Sequence, residues 1–354
     1  MSKVVIDPQI KTLISEFELP ESLQFGRTLA PIMIEMDYQN GEWGDINLKP
    51  YSPLTIDPCS KVLHYGQEIF EGLKAYKTED GRVNLFRPEQ NAKRFNHSAK
   101  RMAMPELPEQ FFLESVKVLT KECESIIPSE LGTSLYIRPF MFATQVALGI
   151  GPSDSFKFMV VASPSGSYFK GGTVKVLIER DASRAAPGGT GTAKCGGNYA
   201  AGLQSALRMQ KLGYHQSLWL DAKESKYVEE MSGMNFMCVI DGELWTPELT
   251  DTILEGITRS SILELARIHG YKTREEKIDI NWLIEKIKAG QCTEAFACGT
   301  AAIITPIELL GEIGGATYTV REPNGSITNF LREELLKIQA GHNKGPDNWI
   351  IQVK

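Results

Sequence analysis

The sequence predicts an α/β (α+β) fold built as two domains. Three observations carry that expectation. Short β-rich runs interleave with longer runs of helical period along the chain. The 354 residues exceed what a single hydrophobic core usually serves. Near the middle, Pro164, Gly166, Gly171 and Gly172 interrupt the pattern, and the stretch 163–172 reads as a connection. The expected division is a smaller N-terminal domain at 1–170, a linker at 171–183 and a larger C-terminal domain at 184–354 that carries Lys194.

The elements follow in order. Residues 31–38 read as a strand. The runs 73–78 and 83–86 flank Asp80-Gly81, the pairing expected of a hairpin turn. Pro88 opens a helix to Met104, since proline is tolerated in a first turn. A second helix spans 108–127 and sets Phe112, Val116, Leu119 and Cys123 on one face. Strands follow at 134–142, 156–162 and 174–178. A helix is expected from Tyr199 to Gln210. Beyond it come short strands at 217–220, 236–240 and 242–246, helices at 258–269 and 281–289, and strands at 293–298 and 303–309. An amphipathic helix at 327–339 is expected to close the chain.

Composition removes several classes of function. A hydrophobic share of 42% and a charged share of 23% are ordinary for a globular protein. A net charge of -6 argues against nucleic acid as a partner, because phosphate backbones require a basic face. No apolar run is long enough for a membrane span. The first residues lack a signal-peptide core, so a cytoplasmic location is expected. Six cysteines are scattered without a CxxC pair and read as reduced thiols. Five dispersed histidines form no ligand cluster, so no bound metal is expected.

The chemistry concentrates at Lys194, within the glycine-dense stretch 186–200. Glycine permits positive φ and close approach to a ligand, so this lysine sits on a special turn ahead of a helix. A positioned lysine can form a Schiff base with a carbonyl. The stretch is not a phosphate loop of the nucleotide-binding kind, because Ala193 precedes the lysine and Cys195 follows it. Gly256-Ile257-Thr258, opening an apolar-periodic helix, either offers outward amides for an anion or begins an ordinary capped helix. The turn Gly299-Thr300-Ala301 can form a similar amide nest, or be a plain turn. Arg94 reads by default as an exposed helical residue, while Arg138, inside an apolar strand, needs a partner or a ligand. Glu229 and Glu230 are either two solvated acids or partners for a cationic ring nitrogen. Tyr65, Phe70, Tyr136 and Tyr199 are explained as readily by core packing.

Several long motifs in one order change this balance. They are the stretches 64–76 (HYGQEIFEGLKAY), 86–95 (FRPEQNAKRF), 134–139 (SLYIRP), 194–200 (KCGGNYA) and 230–235 (EMSGMN). In these the chain resembles the class IV pyridoxal-phosphate enzymes, and within them the branched-chain amino acid aminotransferases, from about Phe25 to the last helix. The resemblance implies the two-domain D-amino-acid-transaminase-like fold, fold type IV, with pyridoxal 5'-phosphate as cofactor. It implies Lys194 as the Schiff-base lysine, Tyr199 on the cofactor's phenolic oxygen and Glu230 on its pyridine nitrogen. Arg94, the amides of Ile257 and Thr258, and Thr300 would hold the phosphate. The amides of Thr300 and Ala301, with the Tyr65 hydroxyl, would take the substrate carboxylate. Phe25, Phe70, Tyr136, Tyr199 and Ser232 would line the side-chain pocket, and Arg138 would meet the distal carboxylate of glutamate. The loop at Leu148, Gly149 and Ile150 would reach in from the second subunit of a homodimer.

Two departures from the family pattern stand out. No CxxC pair follows the Gly-Thr-Ala turn, so no thiol switch is expected there. Ser232 stands where some relatives carry threonine.

The residue types suit the implied reaction. A carboxylate beside a ring nitrogen keeps that nitrogen cationic. A free amine can take a proton at one carbon and return it at another. Aromatic walls favour a branched aliphatic side chain by roughly 1.5–3 kcal/mol, and an arginine at the rim can partner a carboxylate. The resemblance therefore implies ping-pong exchange between branched-chain amino acids (L-leucine, L-isoleucine or L-valine) and 2-oxoglutarate. The rival readings are a D-amino acid transaminase, an aminodeoxychorismate lyase, and a non-catalytic phosphate-binding protein.

Overall fold

The computed structural model describes residues 3–166 and 172–353. In chain order the elements are β1 Val4–Ile6, α1 Ile10–Ser15, β2 Ile32–Gln39, β3 Glu42–Trp43, β4 Ile46–Pro50, α2 Lys61–Tyr65, β5 Glu68–Phe70, β6 Leu73–Lys77 and β7 Val83–Phe86. They continue with α3 Pro88–Arg101, α4 Glu109–Glu122, β8 Ser134–Ala143, β9 Phe156–Ser165, β10 Val174–Glu179, α5 Gly196–Ala200, α6 Leu203–Lys211, β11 Gln216–Leu220 and β12 Val228–Met231. The remainder are β13 Met234–Ile240, β14 Glu243–Thr246, α7 Ile257–Ile268, β15 Thr273–Glu275, α8 Ile280–Lys288, β16 Cys292–Gly299, β17 Ile303–Gly311, β18 Thr317–Thr319, α9 Ser326–Ala340 and β19 Ile350–Val353.

Packing divides the chain into two units. The first holds the described residues of Met1–Tyr168, Ala193–Gly196 and Leu336–Lys354; the second holds those of Phe169–Thr192 and Gly197–Leu335. The units are therefore not the consecutive spans expected from sequence. Ala193–Gly196 groups with the first because Ala193 and Cys195 are buried in its apolar core. The C-terminus returns to it because β19 pairs antiparallel with β7, so α9 does not close the chain. Residues 167–171, within the expected connection, lie outside the described residues, and 163–165 belong to β9.

The first unit is one sheet in the order β1-β4-β2-β9-β8-β6-β7-β19, with β3 on β2 and β5 on β8. Strands β8 and β9 form a long ladder from Ser134↔Ser165 to Ala143↔Phe156. The segment joining them carries Leu148, Gly149 and Ile150. Helix α4 buries Phe112, Val116, Leu119 and the following Cys123, the face predicted from spacing. Helix α3 buries Ala92, Phe95 and Ala99 against the same core. Each large apolar side chain so buried stabilises by roughly 1.5–3 kcal/mol.

In the second unit the sheet closes on itself. Strands run β12-β11-β10-β17-β16-β13, and β13 pairs back to β12; β14, β15 and β18 extend it. Strands β10 and β11 are parallel, so the chain between them must cross over rather than turn. That crossover contains the glycine-rich stretch. The helix expected from Tyr199 to Gln210 is two pieces, α5 and α6, divided at Ala201-Gly202. Likewise the helix expected at 108–127 ends at Glu122, and a 3₁₀ turn follows at Glu124–Ile126. Asp279 caps α8 by accepting from the Asn281 and Trp282 amides.

Candidate active site

In the first unit the site is built around Lys194. Its amide donates to Ser98 Oγ at 2.9 Å, and its carbonyl accepts from the Phe70 amide at 2.9 Å. With both neighbours buried in the core, the backbone here is tied at both edges. The Lys194 amine stands 4.8 Å from the centre of the Phe70 ring, a cation–π distance.

Near it lies a fully buried carboxylate, Glu71. It accepts from Arg94 Nε at 2.6 Å and Nη2 at 2.8 Å, from Asn91 Nδ2 at 2.8 Å and from the Gly72 amide at 3.0 Å. Burial alone raises its carboxyl, but the Arg94 charge and hydrogen bonds outweigh burial and hold it below the ordinary range; Lys194 and Asn91 add to this. Asn91, Arg94 and Ser98 sit at i, i+3 and i+7 of α3, so one helix face delivers all three. Arg94 is therefore not the exposed helical residue expected by default.

Arg138 is flanked by aromatic rings. Its guanidinium lies 4.6 Å from the Phe70 ring centre and 5.3 Å from that of Tyr136, and Nη2 donates to the Tyr136 hydroxyl at 2.8 Å. Phe25 meets Tyr136 edge-on at 4.7 Å. The Tyr65 hydroxyl donates to the Leu148 carbonyl of the same chain. Glu68 accepts from the Gly196 amide; burial raises its carboxyl against the opposing pull of that amide and of Arg138.

In the second unit Glu229 and Glu230 are both buried on β12, so they are not solvated acids. Burial raises the Glu229 carboxyl, opposed by its bond from the Thr252 hydroxyl and by the charge of Arg184. Glu230 Oε2 accepts from the Leu254 amide at 2.9 Å, and Oε1 lies 2.8 Å from Arg184 Nε. Glu230, Tyr199, Ser232, Asn198 and Trp219 line a cavity of about 180 Å³.

Gly256 is the N-cap of helix α7 and no side chain caps it, so the first-turn amides of Ile257 and Thr258 present the positive end of its dipole. A Cβ at Gly256 would overlap Asn235 Oδ1, so any larger residue there displaces that side chain. Thr300 and Ala301 form the turn between β16 and β17. Residues that sequence reasoning missed are Glu71, Asn91, Ser98, Glu68 and Arg184. The i, i+3, i+7 polar spacing on α3 was the available signal for two of them. Among the described residues there is no cluster of His, Cys, Asp or Glu fit to hold a metal. No helix among them is long and apolar enough to cross a membrane.

The chain belongs to the class IV aminotransferases: that family's model matches residues 68–310. Within the class it groups with the branched-chain-amino-acid aminotransferases. It is 48% identical over 339 residues to branched-chain-amino-acid transaminase 1 of Bacillus subtilis strain 168, covering 94% of this chain and 95% of that one. It is 45% identical to the branched-chain-amino-acid aminotransferase of Mycolicibacterium smegmatis, covering 93% and 92%. The structure resembles the branched-chain amino acid aminotransferase of Escherichia coli, with a TM-score of 0.71, 27% identity and coverage of 91% and 99%. It also resembles a T.th. branched-chain amino acid aminotransferase solved with N-(5'-phosphopyridoxyl)-L-glutamate, with a TM-score of 0.73, 28% identity and coverage of 90% and 98%. The protein is a transaminase, and its fold is the mixed α/β fold of that class.

Proposed function

We propose that the protein transfers the amino group of L-leucine, L-isoleucine or L-valine to 2-oxoglutarate, by a ping-pong reaction dependent on pyridoxal 5'-phosphate that yields the branched-chain 2-oxo acid and L-glutamate. The observation that carries this reading is Lys194. Its backbone is fixed to Ser98 and Phe70, and its amine is held over the Phe70 ring near the Glu71–Arg94 pair.

In this reading the Lys194 amine makes the covalent hold on the cofactor's carbonyl carbon and, once released, moves the proton of the substrate α-carbon. Bound pyridoxal phosphate supplies the electron sink for the pair left at that carbon. Glu230 accepts the ring N–H, and its burial beside the Leu254 amide and the Arg184 charge suits that task. The Tyr199 hydroxyl donates to the phenolic oxygen. Arg94, the Ile257 and Thr258 amides, and Thr300 hold the phosphate, where charge-assisted bonds are strong. The Thr300 and Ala301 amides and the Tyr65 hydroxyl receive the substrate carboxylate. Phe25, Phe70, Tyr136, Tyr199 and Ser232 exclude water from the aliphatic side chain. Arg138, already among aromatic rings, receives the second carboxylate of glutamate.

The working form is a homodimer in this reading. Leu148 and Ile150 are apolar yet 61% and 92% exposed, as suits side chains that a second copy covers. All six cysteines are free thiols, in keeping with a cytoplasmic setting.

Borohydride reduction of the cofactor-loaded protein, followed by peptide mapping, tests this. The expected label falls on Lys194, L-leucine bleaches the visible absorbance, and Lys194→Ala loses both label and turnover. A label on another residue, or none, overturns the reading.

A further inference from the structure

We propose that Arg184 is a positioning residue that sets the Glu230 carboxylate for the cofactor's ring nitrogen and clamps the two segments beside it. The proposal rests on the pyridoxal-phosphate reading above. Arg184 Nε stands 2.8 Å from Glu230 Oε1, opposite charges in contact but off the axis of a hydrogen bond. Only 8% of the Arg184 side chain and 4% of that of Glu230 is exposed. Arg184 Nη2 donates to the Gly191 carbonyl at 3.1 Å and also to the Thr252 carbonyl. Gly191 belongs to the glycine-rich stretch, and Thr252 to the loop ahead of α7. That loop is itself secured, since Asn235 Nδ2 donates to the Leu254 carbonyl at 3.0 Å and the Leu254 amide donates to Glu230 Oε2.

One guanidinium thus touches the carboxylate, the glycine turn and the loop that leads into the uncapped helix. No step of the proposed reaction uses it directly. Guanidinium is planar, always charged and able to serve several acceptors at once, so lysine does not replace it. With one oxygen held by a backbone amide and the other faced by a cation, the plane of the Glu230 carboxylate is fixed. Glu230 and Arg184 both line the cavity of about 180 Å³.

The electrostatics gives a distinguishable signature. A cation favours the ionised carboxylate and disfavours a protonated ring nitrogen, and Coulomb attraction weakens with distance. The carboxylate is the group in contact with Arg184, so it feels the larger effect. Removing the charge therefore shifts the shared proton from the ring nitrogen toward Glu230.

The test loads wild type, Arg184→Met, Arg184→Lys and Glu230→Gln with pyridoxal phosphate isotopically labelled at the ring nitrogen. Nitrogen NMR reads the protonation of that atom, and titration of the apo proteins reads cofactor affinity. The expected result is a protonated ring nitrogen in wild type and a shift toward the unprotonated form in Arg184→Met. Affinity should fall on the order of tenfold or more, the scale of one lost hydrogen bond to a charged group. Arg184→Lys keeps the charge and loses the fork, so its ring nitrogen stays protonated while affinity falls several-fold. Wild-type nitrogen shift and affinity in folded Arg184→Met overturn the proposal. Should that variant fail to fold, wild-type affinity in Arg184→Lys overturns it. If Glu230→Gln leaves the ring nitrogen unchanged, the assignment of Glu230 itself fails, and Arg184 with it.

Discussion

Glu71 holds Arg94 through both carboxylate oxygens, at 2.6 Å to Nε and 2.8 Å to Nη2, from a position sealed from solvent. A free arginine side chain samples many rotamers, and one gripped in this way samples few. The cation proposed to hold the phosphate is therefore set before any ligand arrives, which lowers the ordering cost of binding.

Removing that carboxylate charge should destabilise the fold. Glu71→Gln leaves the Arg94 guanidinium without its counter-charge, a loss of roughly 3–5 kcal/mol at neutral pH. The direction with pH follows from the lowered carboxyl of Glu71. Its folded value lies below the unfolded value of about 4.3. Its contribution is thus complete above the unfolded value and fades as pH falls through the folded one. Denaturant midpoints across an acid series should therefore separate wild type from Glu71→Gln at neutral pH and bring them together in acid. A constant gap would mean that the charge is not the cause.

Arg138→Ala should separate the two halves of the exchange. Its guanidinium meets the rings of Phe70 and Tyr136 and bonds the Tyr136 hydroxyl, so truncation disturbs the aliphatic wall modestly and removes the only proposed partner of the second carboxylate. A hydrogen bond to a charged group contributes roughly 1.5–3 kcal/mol, which is tenfold or more in kcat/KM. The loss for glutamate and 2-oxoglutarate should exceed the loss for leucine by that factor. Equal losses would remove Arg138 from the acceptor site.

Gly256→Ala tests how tightly the N-terminus of α7 is packed. The backbone there has φ of -76°, which any residue adopts, so strain is not the issue. The added methyl meets Asn235 Oδ1, and relieving that overlap disturbs the Asn235 bond to the Leu254 carbonyl. Overpacking of this kind costs roughly 1–3 kcal/mol. Thermal unfolding should show the loss, and adding Asn235→Ala should recover part of it. Full stability in the single variant would show that Asn235 moves aside freely.

Much of the fold was legible because apolar periodicity reports which face of an element is buried. The face of α4 with Phe112, Val116 and Leu119 was readable for that reason, as were the strands at β2, β8, β13, β16 and β17. Short elements escaped: β1, β5, β15 and β19 offer three or four residues, too few for a period to show. The division between α5 and α6 escaped because Gly202 lowers helix propensity without forbidding a helix. At the site, Lys194, Glu230 and the Gly256 helix start were visible as unusual residues in unusual places. Glu71 and Arg184 were not, because a charged residue looks the same in sequence whether it faces water or a buried partner.

The sequence by itself determined the residue types and their order: a lysine among glycines, an acid pair at a strand, a glycine-led helix start and the motifs of the aminotransferase class. Those depend on local spacing, which the chain carries in one dimension. Only the tertiary structure decided that Ala193–Gly196 packs with the first unit rather than with its sequence neighbours, that Arg94 is gripped by Glu71, and that Arg184 reaches Glu230, Gly191 and Thr252 at once. Most of those pairings join residues tens of positions apart. They are selected by burial, which makes an unpartnered charge costly, and burial is known only once the chain has folded.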